Sequence, residues 1–340
     1  MGRPAWLLAM AVTLGACASP SGPVEPSEAP PAASPVVAAP EIEEAAPVEP
    51  APPRLVVHEW GTFTARVAPD GSLRKWTKRD RVEPLPKFVF ESWMTDAKQA
   101  AEGTVRMETP VLYFYADEPT RMEVGVEFPG GFLTEWYPAA AHEDTAELAS
   151  LRWTDVEIQP GPDPDYLVDG DSHYYAARET DANPLALTDA NGRTAHEKFL
   201  FYRGVGSFAL PLEGRPIKAG VELTATRPLA GVVVLRREGD SLGFTLVGEL
   251  DGTQTVLLPP LDRELAELEA TLAELLVAQG LYPREAAAMI ATWRALWFEP
   301  GTRALYMVPR ELTDATLPLS LDPAPDELVR VLVGRLDLEG

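Results

Sequence analysis

Acidic side chains on strand-like segments are the first candidates for chemistry in this sequence. Over residues 107–115, the two-residue period of a β-strand places Glu108 on an otherwise apolar face. Over residues 173–181, the same period places Glu179 and Asp181 on the face of His173, about 7 Å apart along the strand. Paired carboxylates can serve as general acid and base in glycoside hydrolysis. Glu108, Glu179 and Asp181 are therefore the candidate catalytic residues.

One arginine is the expected partner of these acids. A strand predicted over residues 198–205 places Arg203 on a face that otherwise carries apolar side chains. Because a buried charge is too costly to remain unpaired, Arg203 is expected to meet Glu108 or a carboxylate of another strand. The favoured interpretation is a structural ion-pair network. The alternative is a pocket in which His173, Tyr202 and Arg203 bind an anionic or sugar-like ligand, which requires a bulge near Gly204.

Other motifs for catalysis or metal binding are weaker. Residues 239–242 spell GDSL, the motif of a class of esterases, but all four histidines precede it, and a hairpin turn is the better interpretation. Residues 170–173 (GDSH) have only His196 downstream. The histidines are scattered, and a regular strand directs the adjacent His58 and Glu59 to opposite faces. Neither a metal site nor a cofactor is predicted.

The first 17 residues have the pattern of an export signal. Arg3 precedes an apolar stretch that is too short to span a bilayer, and residues 14–17 (LGAC) follow this stretch. The arrangement resembles the signal peptide and lipobox of bacterial lipoproteins. The resemblance implies that Cys17, the only cysteine of the chain, is lipidated and anchors the protein to a membrane. Ala18 stands where an aspartate would retain the protein at the inner membrane, which favours an outer-membrane location.

The next segment has the composition of a disordered spacer. Residues 18–53 contain 11 prolines and 6 glutamates but no lysine or arginine. Such a segment buries too little apolar surface to fold and should remain extended as a tether. The formal net charge of the chain is −23, which disfavours nucleic acid as a partner.

Residues 54–340 are predicted to form a single globular domain that is mainly β. Short runs of β-branched and aromatic residues alternate with Pro- and Gly-rich turns, a pattern typical of an antiparallel β-sandwich. A helical hairpin is predicted as an insertion over residues 262–297, with Asp262 as its N-cap and Pro283 opening its second helix. Its apolar stripe of Met289, Trp293 and Trp297 is expected to lie in the core.

Four stretches carry a further signature: residues 58–64 (HEWGTFT), which are the most specific, and residues 107–115, 198–206 and 297–303. They resemble a family of uncharacterised exported proteins of myxobacteria and planctomycetes. The resemblance implies export and a domain over most of residues 55–338, but it implies no reaction.

These observations favour a lipoprotein of the cell envelope with a non-catalytic binding or interaction domain on a long tether. The expected partner besides the membrane is an envelope protein or a glycan. The alternative is a hydrolase that acts on glycan or another envelope polymer through Glu108, Glu179 or Asp181.

Overall fold

Runs of β-branched and aromatic residues form long strands in this chain. The computed structural model describes residues 54–76, 84–91, 103–141 and 148–339. The described residues belong to one compact unit. The predicted lipidation site Cys17 and the predicted tether 18–53 lie outside the described residues.

The strands and helices of the described part are as follows. The strands are β1 (Leu55–Val67), β2 (Leu73–Arg74), β3 (Phe90–Glu91), β4 (Val105–Ala116), β5 (Thr120–Glu127), β6 (Gly131–Tyr137), β7 (Ser150–Ile158), β8 (Leu185–Thr188), β9 (Thr194–Glu197), β10 (Leu200–Gly206), β11 (Leu212–Ile217), β12 (Gly220–Glu238), β13 (Ser241–Leu257), β14 (Gly301–Met307), β15 (Leu319–Asp322) and β16 (Glu327–Leu338). The helices are α1 (Leu265–Ala278), α2 (Pro283–Trp297), α3 (Arg310–Thr316) and a 3₁₀ helix (His173–Arg178).

Two sheets organise these strands. The large sheet has the order β11-β12-β14-β16-β1-β4-β10-β6-β3, with β13 paired to β12 and β2 paired to β1. The smaller sheet has the order β15-β5-β7-β8-β9. The predicted fold, mainly β and sandwich-like with a helical hairpin, is confirmed. The large sheet is mixed rather than purely antiparallel, because β1 and β16 pair in parallel.

The central strand β1 has two buried faces, each with its own core. One face directs Val57 and Phe63 into a cluster that also contains Trp153 of the smaller sheet. The other face directs Trp60 into a cluster formed with α1 and α2. A two-residue period with both faces covered explains why β1 is almost entirely buried.

The helical hairpin covers the second of these faces. Trp293 and Trp297 of α2 are fully buried there, which confirms the core interpretation of this stripe. The bounds of α2 agree with the prediction. The N-cap position of α1 is Glu264 rather than the predicted Asp262, and the side chain of Glu264 makes no capping hydrogen bond. In the described part of the chain, none of the helices is both long enough and apolar enough to cross a membrane.

The strand predicted over residues 173–181 is wrong. This segment forms the 3₁₀ helix, whose N-cap Ser172 accepts a hydrogen bond from the backbone N–H of Tyr174 at 3.3 Å. Tyr174 and Ala177, three residues apart, are its buried side chains. The buried side chains therefore recur every three residues, as in a 3₁₀ helix, and not every two residues, as in a strand.

Candidate functional site

Glu179 and Asp181 lie at the rim of a polar pocket, here called the outer pocket. Its volume is about 640 Å³, and the chain after the 3₁₀ helix forms part of its wall. Its lining contains three basic side chains, those of Arg178, Lys198 and Arg284. It also contains three acidic ones, those of Asp163, Glu179 and Asp181, together with the rings of Tyr166 and Tyr175.

The basic floor of the outer pocket is fixed by a buried ion pair. Arg178 donates from Nε to Glu197 Oε1 at 2.9 Å and from Nη2 to Glu197 Oε2 at 2.7 Å, a bidentate pair. The hydroxyl of Tyr174 donates to the same carboxylate at 3.0 Å. Burial lowers the pKa of Arg178, but the hydrogen bonds and charge of Glu197 outweigh it, so the pKa lies above its ordinary value. The guanidinium therefore stays charged.

The other two cations of the outer pocket are paired as well. Lys198, whose side chain is 5 % exposed, binds the carboxylate of Asp163. Arg284, in the first turn of α2, binds Asp181 at the rim. Glu179 is exposed and has no ion-pair partner among the described residues.

Aromatic rings complete the wall of the outer pocket. The guanidinium carbon of Arg178 lies 5.1 Å from the ring centre of Tyr166 and 4.9 Å from that of Tyr175. Tyr166 donates its hydroxyl to Asp163 Oδ1 at 2.9 Å, which holds the ring in place. The pocket therefore combines flat apolar surface with fixed donors and acceptors.

Tyr202 does not reach the outer pocket. It is fully buried on the face of the large sheet that packs against the smaller sheet, and its hydroxyl donates to Glu59. Arg330 donates to the second oxygen of this carboxylate at 2.6 Å. Burial, followed by the charge of Glu59, raises the pKa of Tyr202 well above its ordinary value, so the phenol stays neutral. This cluster joins β1, β10 and β16 in the core.

The expected ion pair between Arg203 and Glu108 is wrong. The carboxylate of Glu108 is buried and accepts a hydrogen bond from the Thr64 hydroxyl at 2.8 Å. Arg203 instead donates from Nη2 to Thr109 Oγ1 at 3.4 Å. The cause is a bulge in β4, where Thr109 has a φ of 47° and the register with β10 shifts between Phe201 and Gly204. Neither Glu108 nor Arg203 lines the outer pocket.

His173 lies at the opposite end of the 3₁₀ helix from the outer pocket. Its ring centre is 5.8 Å from that of Trp293. It lines two further cavities, one of about 500 Å³ against α2 and one of about 520 Å³ beside Pro84 and Ser172. Burial, followed by the positive charge of Arg203, lowers the pKa of His173 to about 4. The imidazole is therefore neutral at pH 7.

The short motifs have structural explanations. Ser172 of the GDSH motif caps the 3₁₀ helix. Gly239 and Asp240 of the GDSL motif form the turn between β12 and β13, with Gly239 at a φ of 57°. His58 contacts Glu285 Oε2 through Nδ1 at 2.7 Å, while Glu59 faces Tyr202 on the opposite side of the strand. The HEWGTFT stretch thus joins the sheet to α2 and to β16.

Sequence reasoning missed the buried part of the outer pocket. Arg178, Glu197 and Lys198 come together from the 3₁₀ helix and from residues before β10, and no local period links them. Within the described ranges, no group of three or more histidine, cysteine or acidic side chains is placed to hold a metal ion.

Comparison with known proteins identifies no family. No family model matches the chain, and no curated protein matches it either. Among solved structures, the zebrafish Fcho1 mu-homology domain with bound Eps15 peptide has a TM-score of 0.29 at 8 % identity, over 85 % of this chain and 95 % of that one. The yeast delta-COP-I mu-homology domain complexed with a Dsl1 peptide has a TM-score of 0.28 at 8 % identity, over 84 % of this chain and 96 % of that one. Scores of this size define neither fold nor function.

Proposed function

We propose that this chain is a lipid-anchored protein of the bacterial envelope whose folded domain binds a glycan without cleaving it. The resemblance of residues 14–17 to a lipobox supports the anchor, and the composition of residues 18–53 supports the tether. The outer pocket supports the binding role.

The composition of the outer pocket is the observation that carries this proposal. Each of its three basic side chains is paired with a carboxylate of the chain, so the pocket suits a ligand without a large net charge. Sugar hydroxyls both donate and accept hydrogen bonds, and the carbon face of a sugar ring packs on an aromatic ring. Arg178, Asp163 and Tyr166 offer a donor, an acceptor and a ring within one wall.

The volume of the outer pocket also favours a small ligand over a protein surface. About 640 Å³ lies in the range of pockets for small molecules, whereas a protein partner needs about 800 Å² of surface on each side. A sugar unit of a longer chain fits this description.

The hydrolase remains the alternative, and it depends on Glu179 and Asp181. Both line the outer pocket, but Asp181 is bound to Arg284 and both carboxylates are exposed. A general acid at neutral pH requires a carboxyl in an environment that disfavours its charge, and an exposed, arginine-bound carboxylate lacks it.

Calorimetry on the full chain in detergent micelles tests the binding role. The probes are soluble fragments of peptidoglycan, oligosaccharides of lipopolysaccharide and neutral oligosaccharides. We expect one class to bind, with Kd raised at least about tenfold by Tyr166→Ala or Lys198→Met. Lys218→Met, an exposed lysine in the turn between β11 and β12, is the matched control and should leave Kd unchanged.

Two results would overturn the proposal. If no glycan binds, or if Tyr166→Ala and Lys218→Met bind alike, the outer pocket is not a glycan site. If the wild type releases new reducing ends and Glu179→Gln does not, the protein is a hydrolase.

Metabolic labelling with radioactive palmitate tests the anchor separately. Label should enter the wild-type chain and be absent from Cys17→Ser. Equal labelling of the two chains would remove Cys17 as the lipid site.

A further inference from the structure

Arg203 is a buried cation without a counter-charge. Its relative exposure is 5 %, yet its hydrogen bond to Thr109 is long, at 3.4 Å, and its Nε has no acceptor. No carboxylate of the described residues lies within 4.0 Å of its guanidinium. The chain pairs its other buried arginines with acids: Arg178 with Glu197, Arg303 with Asp337, Arg330 with Glu59 and Arg335 with Asp337.

The acid that faces Arg203 across the strand pair does not supply the missing counter-charge. Glu135 of β6 is the register partner of Arg203 in β10. Its carboxylate accepts a hydrogen bond from the Thr134 hydroxyl instead. A guanidinium without an anion in the protein interior is costly, so this position requires a negative group from elsewhere.

Other donors on the same side of the sheet also lack acceptors. Tyr137 is the register partner of Phe201, two residues from Arg203, and its buried hydroxyl has no partner. The indole N–H of Trp293, on α2 above the sheet, has none either. Indole and guanidinium nitrogens can only donate. This layer, between the large sheet and α2, therefore has more buried donors than acceptors, and the missing group is an acceptor.

His173 connects this layer to open space. The field of Arg203 reaches its ring, which contacts Trp293 and lines the two cavities of about 500 and 520 Å³. Arg203 lines neither cavity, so a small solute that enters either one meets His173 first.

We propose that Arg203 binds a small oxyanion of the phosphate or carboxylate class, which enters along His173. The planar guanidinium offers parallel N–H donors that match two oxygens of such an anion. This site is separate from the outer pocket and does not depend on the glycan proposal.

Thermal unfolding of the full chain tests the site with two probes, inorganic phosphate and acetate. An anion that binds only the folded state raises its Tm as the anion concentration rises. We expect this rise in the wild type and in Arg121→Met, a control at an exposed arginine of the smaller sheet. The rise should be smaller in Arg203→Met, which keeps only the general stabilisation of folded proteins by excluded anions. A difference between the wild type and Arg203→Met with phosphate alone identifies a phosphate site, and a difference with acetate alone identifies a carboxylate site.

Nuclear magnetic resonance of histidine in the wild-type chain gives an independent readout if Arg203→Met fails to fold. An anion on the guanidinium offsets the positive charge beside His173, so the pKa of His173 should rise by about one unit. The proposal is overturned if neither anion changes the Tm or the His173 pKa of the wild type. It is also overturned if Arg203→Met folds and responds to the anions as the wild type does.

Discussion

Two charged regions of this domain differ in how their cations are neutralised. In the outer pocket, Arg178, Lys198 and Arg284 each contact a carboxylate of the chain. Beneath α2, Arg203 is 5 % exposed, but its only hydrogen-bond partner among the described residues is a hydroxyl. The cations of the first region are neutralised without a ligand, whereas Arg203 is not.

The difference shows which type of ligand each region can recognise. A pocket whose cations are already paired selects through hydrogen bonds and shape, because an anionic ligand would have to displace an existing ion pair. A lone guanidinium selects through charge. Substitutions that remove one partner should therefore have opposite effects on stability in the two regions.

Arg178→Met should cause the largest change. It leaves the fully buried carboxylate of Glu197 without its cation, so the free energy of unfolding should fall by about 3–5 kcal/mol. Urea denaturation of the full chain measures this loss. The double variant Arg178→Met/Glu197→Leu removes both charges and should recover most of the stability. A loss below about 1 kcal/mol would show that Glu197 is stabilised without Arg178.

The pH dependence of stability should report on His173. Its pKa is about 4 in the folded chain, against an ordinary value of 6.5. Between these values the unfolded chain binds a proton at His173 that the folded chain does not, so stability falls as the pH falls from 6.5 to 4. The full effect is about 3 kcal/mol.

The variant His173→Asn isolates this contribution from the carboxylates that titrate in the same range. The stability of the wild type should decrease more steeply than that of His173→Asn between pH 6.5 and 4. Parallel profiles would mean that His173 titrates alike in the folded and unfolded chains.

Arg203→Met should have the opposite sign from Arg178→Met. It replaces a buried, unpaired charge by an apolar side chain of similar length, so without added anion the free energy of unfolding should rise by about 1 kcal/mol. The same urea measurement applies. A loss as large as that of Arg178→Met would show that Arg203 is already neutralised in the protein.

The sequence predicts those elements whose residues are close in the chain. The strand period predicted over residues 107–115 agrees with β4, because its alternating apolar residues are a local signal. The predicted span of α2 agrees with the structure as well, since Pro283 and the apolar stripe define it. The parallel pairing of β1 with β16 has no local signal, because their register partners Val56 and Glu327 are far apart in the chain.

The candidate site was harder to predict, for two physical reasons. Residues 173–178 form a 3₁₀ helix, because Ser172 caps it and its buried side chains are three residues apart. Glu179 and Asp181 therefore lie at the rim of the outer pocket. The bulge at Thr109 separated Arg203 from Glu108, and a single left-handed residue leaves no trace in a two-residue pattern. The rule that a buried arginine needs an anion still identifies Arg203 as the unusual position, because its hydrogen-bond partner is the hydroxyl of Thr109.

Asp181→Asn should cause the smallest change and so defines the lower limit of the comparison. The side chains of Arg284 and Asp181 are 55 % and 62 % exposed, and solvent-exposed ion pairs contribute at most about 1 kcal/mol. Asp181→Asn should lower the free energy of unfolding by less than about 0.5 kcal/mol, and added salt should reduce even this effect. Urea denaturation at low and high ionic strength measures it. A loss comparable to that of Arg178→Met would mean that the rim of the outer pocket is as dry as its floor, which would return Asp181 to the catalytic candidates.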